Sequence, residues 1–491
     1  MKGSIRFLLG NELQQLSAFD AQLTVLEWLR TRVHRSGTKE GCAEGDCGAC
    51  TVAVGELQQG RVRYRAFNSC IQLLPTLDGK QLLTVEDLAA ACTDGSGLHP
   101  VQQAMVDQHG SQCGFCTPGF VMSLFVLFHQ WPADRALERQ DIDQAIAGNL
   151  CRCTGYAAIV RAARQAMERA PADAFSRDEQ DIAAQLQQLQ HDRMLQLEYQ
   201  GRRYFAPRSL TQLWPLLEQY PAAQMVAGAT DVGLWITKQL QLFDTVISLC
   251  DVQELKRLER DEAGQQVLIG AAVPYADALE TLADCYPGMR SMLSRLGAVQ
   301  VRNAGTIGGN IANGSPIGDM PPALIALDAG LLVSRATGRR EMPLEAFFLE
   351  YGKQDLQPGE CVEAVLLPLP RPDQQFAVYK ISKRFDQDIS ALCGAFSIRL
   401  KDQQVVDARI CFGGMAGTPL RATTAEQALI GQPWSLASVS RAREALAADY
   451  TPLTDWRASS EYRLQVAQNL LQRFFLETTS AEPAQLAAGL R

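Results

Sequence analysis

Residues 41–52 read GCAEGDCGACTV and residues 68–71 read NSCI, so Cys42, Cys47 and Cys50 stand in C-x4-C-x2-C and Cys70 follows from a separate turn. That spacing is the plant-type [2Fe-2S] arrangement, in which one loop supplies three thiolates and a distant turn the fourth. Gly41, Gly45 and Gly48 interleave the loop, as needed where backbone passes close to an inorganic centre and turns N–H groups toward its sulfurs. The alternative is a structural zinc site, which usually prefers paired C-x2-C knuckles.

A second set follows in QCGFCTPG (112–119) and GNLCRCTGY (148–156), where Cys113 and Cys116 are paired C-x2-C and Cys151 and Cys153 C-x-C. Thr117-Pro118 opens one expected helix and Thr154 precedes another, so two helix N-termini would aim their positive ends at an anionic centre. Four cysteines in pairs could equally hold zinc; the neighbouring plant-type loop favours iron.

The rest of the chain fits redox work. Of 14 cysteines in 491 residues, Cys92, Cys250, Cys285, Cys361, Cys393 and Cys411 lie outside the two sets, and dense sets in a reducing compartment indicate metal or redox roles rather than a disulfide frame. A net charge of −8 offers no basic field for nucleic acid or anionic lipid. The N-terminus lacks an apolar core of signal length, and the run Phe120 to Phe128 is half a membrane span, so the expected location is cytoplasmic.

Periodicity divides the chain. Residues 1–84 alternate as short strands around a helix-like Leu23 to Val33, a small α+β domain; 85–170 read as a compact helical bundle; 171–197, Gln-rich and acidic, read as a partly helical tether. Residues 198–372 alternate strands, helices and Gly-rich turns, an α/β pattern, and 373–485 show strands followed by helices ending near Glu477.

Two loops in the 198–372 segment are candidates for phosphate. VAGATDVG (226–233) follows a strand and could present backbone N–H groups to a phosphate, although such turns are more often plain left-handed loops. VRNAGTIGGNIANGSPIGD (301–319) is a second Gly/Asn-rich loop with Thr306, Asn310, Asn313 and Ser315 as polar groups. Neither fits G-x-G-x-x-G, so a Rossmann domain is not supported.

Together these strings resemble the molybdenum hydroxylases, the xanthine dehydrogenase and aldehyde oxidase family, over nearly the whole chain. The resemblance implies a ferredoxin-like β-grasp [2Fe-2S] domain, a four-helix [2Fe-2S] domain, an α/β FAD-binding domain of the non-Rossmann (vanillyl-alcohol-oxidase/PCMH-like) type and a C-terminal α+β flavoprotein domain. It implies cluster ligation by Cys42, Cys47, Cys50 and Cys70 and by Cys113, Cys116, Cys151 and Cys153. Flavin contacts carried over by position are Met225, Val226, Ala227, Gly228, Ala229, Thr230, Asp231, Val232, Thr306, Ile307, Gly308, Gly309, Asn310, Asp319 and Lys380. Where relatives often place an aromatic near the flavin, Leu296 stands here.

Tyr351 and Arg384 fall in segments that in the family help admit NAD, the alternatives being a buried core tyrosine and a surface ion pair; Lys383-Arg384 would suit a dinucleotide phosphate. The order iron–sulfur then flavin is similar to the small subunit of two-subunit bacterial members. That implies a large molybdopterin-binding partner, a heterotetramer with two of each chain, NAD as acceptor, and purine oxidation at the partner or, alternatively, oxidation of an aldehyde or another N-heterocycle. A zinc-holding chain whose Gly-rich loops bind nothing is the reading from a different class.

Overall fold

The structure is a computed structural model and describes residues 3–90, 97–132, 134–168, 173–261 and 263–479; Cys92 lies outside them. It comprises two compact units, residues 1–252 with 297–305, and 253–296 with 306–491.

In the first unit the N-terminal sheet has the order Glu12–Ser17, Ser4–Leu9, Gln81–Leu83, Thr51–Gln58, Arg61–Asn68. Ser4–Leu9 runs parallel to Gln81–Leu83 and the other pairings are antiparallel, which gives two hairpins joined through a parallel centre. Helix Val25–Thr31, capped by Thr24 Oγ1 accepting from Glu27 N–H, buries Val25, Leu26, Trp28 and Leu29. This is the grasp-like domain expected, with two strands the sequence did not announce: Gln81–Leu83 is short and buried, and Glu12–Ser17 is polar and mostly exposed and owes its form to pairing with Ser4–Leu9.

A short helix, Val85–Ala90, leads into four more, Pro100–Asp107, Thr117–Gln130, Arg139–Ile146 and Ala157–Glu168. Thr117–Gln130 is buried from Gly119 to Leu127, so it is the central helix that the others surround. The expectation of a tether over 171–197 is corrected. Helices Ala174–Arg177 and Glu179–Leu189 put Phe175, Ile182, Leu186 and Leu189 into the same core as the four helices, and strand Leu195–Tyr199 begins before the segment ends. Burial of four large apolar groups holds this segment in place, each contributing about 1.5–3 kcal/mol. The unit closes with the sheet Leu195–Tyr199, Arg202–Ala206, Thr245–Ser248, Gln224–Val226, whose last three strands are parallel. Its inward side chains, Leu195, Tyr204, Val226 and Val246, share one core with Ile5 and Phe7 of the N-terminal sheet and Trp28 of its helix, which is why the compact unit runs past residue 198.

The second unit holds an antiparallel sheet in the order Leu258–Arg260, Gln266–Gly270, Cys361–Pro368, Gly330–Arg335, Gly338–Pro343. Its C-terminal part is an antiparallel sheet of Gln374–Ile381, Leu392–Lys401, Gln404–Gly413 and Leu420–Arg421, with helices Thr423–Leu429, Leu436–Asp449 and Ser460–Thr479. No described helix is long and apolar enough to cross a membrane.

Candidate functional site

The first cysteine loop is shaped by backbone that only particular residues allow. Ala43, Gly45 and Gly48 have positive φ, and a Cβ on Gly48 would lie 2.0 Å from the Gly148 carbonyl oxygen. The loop turns three amides inward, so that Glu44, Asp46 and Cys47 N–H point at Cys42 Sγ from 3.5, 3.3 and 3.3 Å. Cys50 Sγ lies 3.3 Å from Cys70 Sγ, and Ser69 Oγ donates to Cys50 O at 2.6 Å, which ties the distant turn to the loop. Hydrogen bonds from the Cys47 and Cys70 thiols, with those amides, hold the Cys42 thiol far below the ordinary thiol range. Cys47 and Cys70 are pushed up by their hydrogen bonds to neighbouring sulfurs and by burial. Four converging sulfurs with inward amides are the donor set a [2Fe-2S] centre needs.

The second set is equally convergent. Cys116 stands immediately before helix Thr117–Gln130 without a capping bond; its thiol, pushed up to about 12 by burial and by its hydrogen bond with Cys151, adjoins that residue, and Cys113 adjoins Cys153 in the same way. Thr154 N–H and Oγ1 donate to Cys151 Sγ at 3.4 and 3.2 Å. Cys113 and Cys153 are exposed and Cys116 and Cys151 partly buried.

The two loops touch each other. Leu150 N–H donates to Cys47 O at 2.9 Å, and Asn149 Nδ2 donates to Gly48 O at 3.0 Å. Gly119 lets the central helix approach, since a Cβ there would sit 2.2 Å from Gly48 O. On its other side the first set adjoins helix Val232–Thr237: a Cβ on Gly233 would lie 2.8 Å from Ile71 Cβ, and Thr237 Oγ1 donates to Ala43 O at 2.7 Å. That helix starts where Met225 through Val232 end. Within this loop Ala229 has φ 57°, and Gly228 is pressed so closely on residue 304 that a Cβ would fall 1.7 Å from the Ala304 carbonyl oxygen.

Of the second Gly-rich loop, residues 306–319 belong to the other unit. Thr306 caps helix Ile307–Asn313 through Gly309 N–H at 3.0 Å, and Gly308 packs on Ala271, where a Cβ would meet backbone at 2.5 Å. Asp319 and Lys380 form a buried ion pair: Lys380 Nζ reaches Asp319 Oδ2 at 2.6 Å, and Ser390 Oγ bridges them at 2.8 and 2.5 Å. Asn310 Oδ1 and the Tyr275 hydroxyl are buried and take no hydrogen bond, polar atoms of the kind a bound cofactor satisfies. Leu296 packs as a partly buried side chain against the unit's core. Tyr351 is 77% exposed, which excludes a core tyrosine, whereas Arg384 does pair with Asp388 at 3.9 Å.

Sequence reasoning passed over several groups here. Asn149 joins the cysteine loops; it, Gln300, Ser123 and Tyr275 carried no signal because an amide, a hydroxyl or a phenol beside apolar residues looks like ordinary packing. It also passed over His99, His129 and Asp173, whose ligand atoms lie within 4.8 Å of one another. His99 Nδ1 accepts from Val101 N–H, which leaves the ring proton on Nε2 to donate to Asp173 Oδ2 at 2.8 Å; His129 Nε2 donates to the same oxygen at 2.7 Å. With that nitrogen protonated the trio is a buried hydrogen-bonded latch rather than a metal site.

Comparison with known proteins adds three matching families: residues 84–164 match a [2Fe-2S] binding domain, 197–370 the FAD binding domain in molybdopterin dehydrogenase, and 377–478 the CO dehydrogenase flavoprotein C-terminal domain. Xanthine dehydrogenase 1 of Arabidopsis thaliana is 30% identical over 93% of this chain and 38% of its own length, and xanthine dehydrogenase of Drosophila pseudoobscura pseudoobscura 31% identical over 87% and 35%. The chain thus spans little more than a third of these relatives. Carbon monoxide dehydrogenase from Hydrogenophaga pseudoflava superposes with a TM-score of 0.52 at 28% identity, over 55% of this chain and 94% of that one.

Proposed function

Because the chain belongs to the molybdenum hydroxylase family, as an iron–sulfur and FAD-bearing part of it, we propose that it carries electrons from a molybdenum cofactor on a large partner subunit to NAD+, through two [2Fe-2S] centres and FAD. Bound in this chain, the centres would supply one-electron transfer and FAD would supply two-electron and hydride chemistry.

The chain's own residues supply spacing and enclosure. Cys113, Cys116, Cys151 and Cys153 would hold the first centre on the route and Cys42, Cys47, Cys50 and Cys70 the second. The observation that carries this reading is the single hydrogen bond from Leu150 to Cys47, which joins the backbone next to a ligand of one set to a ligand of the other. Ile71, beside ligand Cys70, continues the line to Gly233 and so to the first Gly-rich loop. In the first unit Met225 through Val232, and in the second Thr306 through Asn310 with the Asp319–Lys380 ion pair, are the residues proposed to contact FAD; Tyr351 and Arg384, both at the surface, are proposed on the NAD side.

The partner's substrate is proposed to be hypoxanthine or xanthine on the strength of the two xanthine dehydrogenase relatives, and the assembly is proposed to be a heterotetramer of two chains of each kind. An aldehyde or another N-heterocycle is the second reading, favoured by the likeness to carbon monoxide dehydrogenase, whose substrate is not a purine. The tagged chain, purified from its native host with whatever co-purifies, is assayed for NAD+ reduction with xanthine while molybdenum, iron and FAD are quantified. NADH formation with molybdenum present supports the first reading. A complex with all three cofactors that ignores xanthine supports the second, and a preparation without iron and flavin overturns both.

A further inference from the structure

Residues 297–305 belong to the first unit although they lie far along the chain from its other segments. Their helix, Val299–Ala304, buries Gln300, Arg302 and Asn303. Three polar buried residues in one short helix are expensive unless each is satisfied. Asn303 Nδ2 donates to Ala66 O at 2.9 Å and Arg302 Nη1 to Gly297 O at 3.0 Å, which ties the helix to the sheet and to its own entry. Gln300 does something else. Its Nε2 lies 3.1 Å from Thr51 Oγ1, 3.2 Å from Ser123 Oγ and 3.2 Å from Asn149 Oδ1. Those acceptors come from the strand leaving the first cysteine loop, from the central helix and from the turn before Cys151.

The three acceptors are themselves bonded together. Ser123 Oγ donates to Asn149 Oδ1 at 2.6 Å, Asn149 Nδ2 reaches Thr51 Oγ1 at 3.1 Å as well as Gly48 O, and Thr51 Oγ1 donates to Gly48 O at 2.7 Å. Thr51, Ser123, Asn149 and Gln300 are all at most 3% exposed, so no water competes for these bonds. Gly148 leaves the space that the Gln300 side chain fills, since a Cβ there would lie 2.1 Å from Gln300 Oε1. The same helix ends at Ala304, whose carbonyl presses on Gly228 in the first Gly-rich loop.

We propose that Gln300 is a positioning residue for electron transfer: its amide, through Asn149, Ser123 and Thr51, clamps the two cysteine loops in the register that makes the Leu150–Cys47 hydrogen bond, and so sets the electronic coupling between the two iron–sulfur centres. This rests on the reading that each cysteine set holds such a centre. The amide donors of Gln300 find all three acceptors only in this geometry, while its Oε1 is buried without a hydrogen-bond partner, so the network fixes the loops through the donors. Replacing Gln300 by Leu keeps volume and apolar packing and removes the donors, and Ser123→Ala removes one member more gently.

The test is made on the full chain with its co-purified partner and reads the spin–spin interaction between the two reduced centres by low-temperature EPR, alongside deuterium exchange at the Leu150 peptide. Expected for Gln300→Leu are unchanged iron and FAD, loss of the interaction and faster Leu150 exchange, with Ser123→Ala changing both in the same direction by less and Gln300→Asn restoring part of the interaction. Retained iron with unchanged interaction in Gln300→Leu overturns the proposal and leaves the reading of the cysteine sets intact. Wild-type chain showing two reduced centres that do not interact also overturns it. If Gln300→Leu fails to load iron, Ser123→Ala decides, an unchanged interaction there being refutation. Wild-type chain without iron signals overturns the underlying reading itself.

Discussion

Asp173→Ala should release residues 174–189 from the helical domain. Asp173 Oδ2 accepts from His99 Nε2 at 2.8 Å and from His129 Nε2 at 2.7 Å, and Oδ1 caps helix Ala174–Arg177 through Ser176 N–H at 2.7 Å. The carboxylate and the His99 side chain are essentially inaccessible, at 1% and 0% exposure, so the truncated variant offers neither ring N–H a replacement acceptor. Each buried donor left unpaired costs about 1–3 kcal/mol, and the lost cap about 1 kcal/mol. Since these groups are coupled, we take a total of about 4 kcal/mol, which is roughly a thousandfold in a local opening constant at 1.4 kcal/mol per decade.

Hydrogen exchange by mass spectrometry on the full chain reads this directly, as faster exchange over 174–189 and at Ile182 and Leu186 in particular. Asp173→Asn, which keeps one acceptor, should lose about half as much. The latch is also pH-dependent. Burial alone raises the Asp173 carboxyl, but hydrogen bonds from His129 and His99 outweigh it and hold the group well below the ordinary carboxylate range. A folded pKa below the unfolded one means the stabilisation is complete above an unfolded carboxylate value of about 4 and is lost as pH falls below it. Exchange over 174–189 in Asp173→Ala that matches wild type would refute the reasoning.

Further expectations are as specific. Gly228→Ala should strip FAD and spare iron, because the new Cβ falls 1.7 Å from backbone that cannot move without the loop; flavin released on heating, against iron in the same sample, checks it. Lys380→Met leaves the Asp319 carboxylate buried without its cation and should destabilise the second unit by about 3–5 kcal/mol, read as a lowered calorimetric transition that Asp319→Leu in the same chain partly restores. Cys113→Ser should abolish one of two distinguishable reduced-centre EPR signals while FAD stays bound; loss of neither would contradict the assigned ligands.

What the sequence revealed and what it hid follow from how each feature is encoded. Metal ligands are confined to short loops by bond lengths, so the spacing of Cys42, Cys47 and Cys50 is legible without a fold. Glycine-rich loops advertise backbone approach, and Gly48, Gly228 and Gly308 are where the structure uses it. The segment 171–197 read as a partly helical tether because it is Gln-rich and acidic, yet Ile182, Leu186 and Leu189 share one helix face that packs into the helical core, which the polar composition hid. Glu12–Ser17 carries no apolar alternation and is a strand only because its neighbour offers a free edge. Gln300 and Asn149 were out of reach, since their role depends on partners from 51, 123 and 149 meeting in space. The Asp319–Lys380 pair shows an intermediate case: both were singled out by resemblance, but that they bind each other is a fact of the fold.

The most direct measurement of the central claim is the metal, sulfide and flavin content of the full chain purified under anaerobic conditions. The account predicts about four iron and about four acid-labile sulfide per chain, as two [2Fe-2S] centres require, with one FAD and no stoichiometric zinc. Zinc in place of iron, with no sulfide and no flavin, would contradict it.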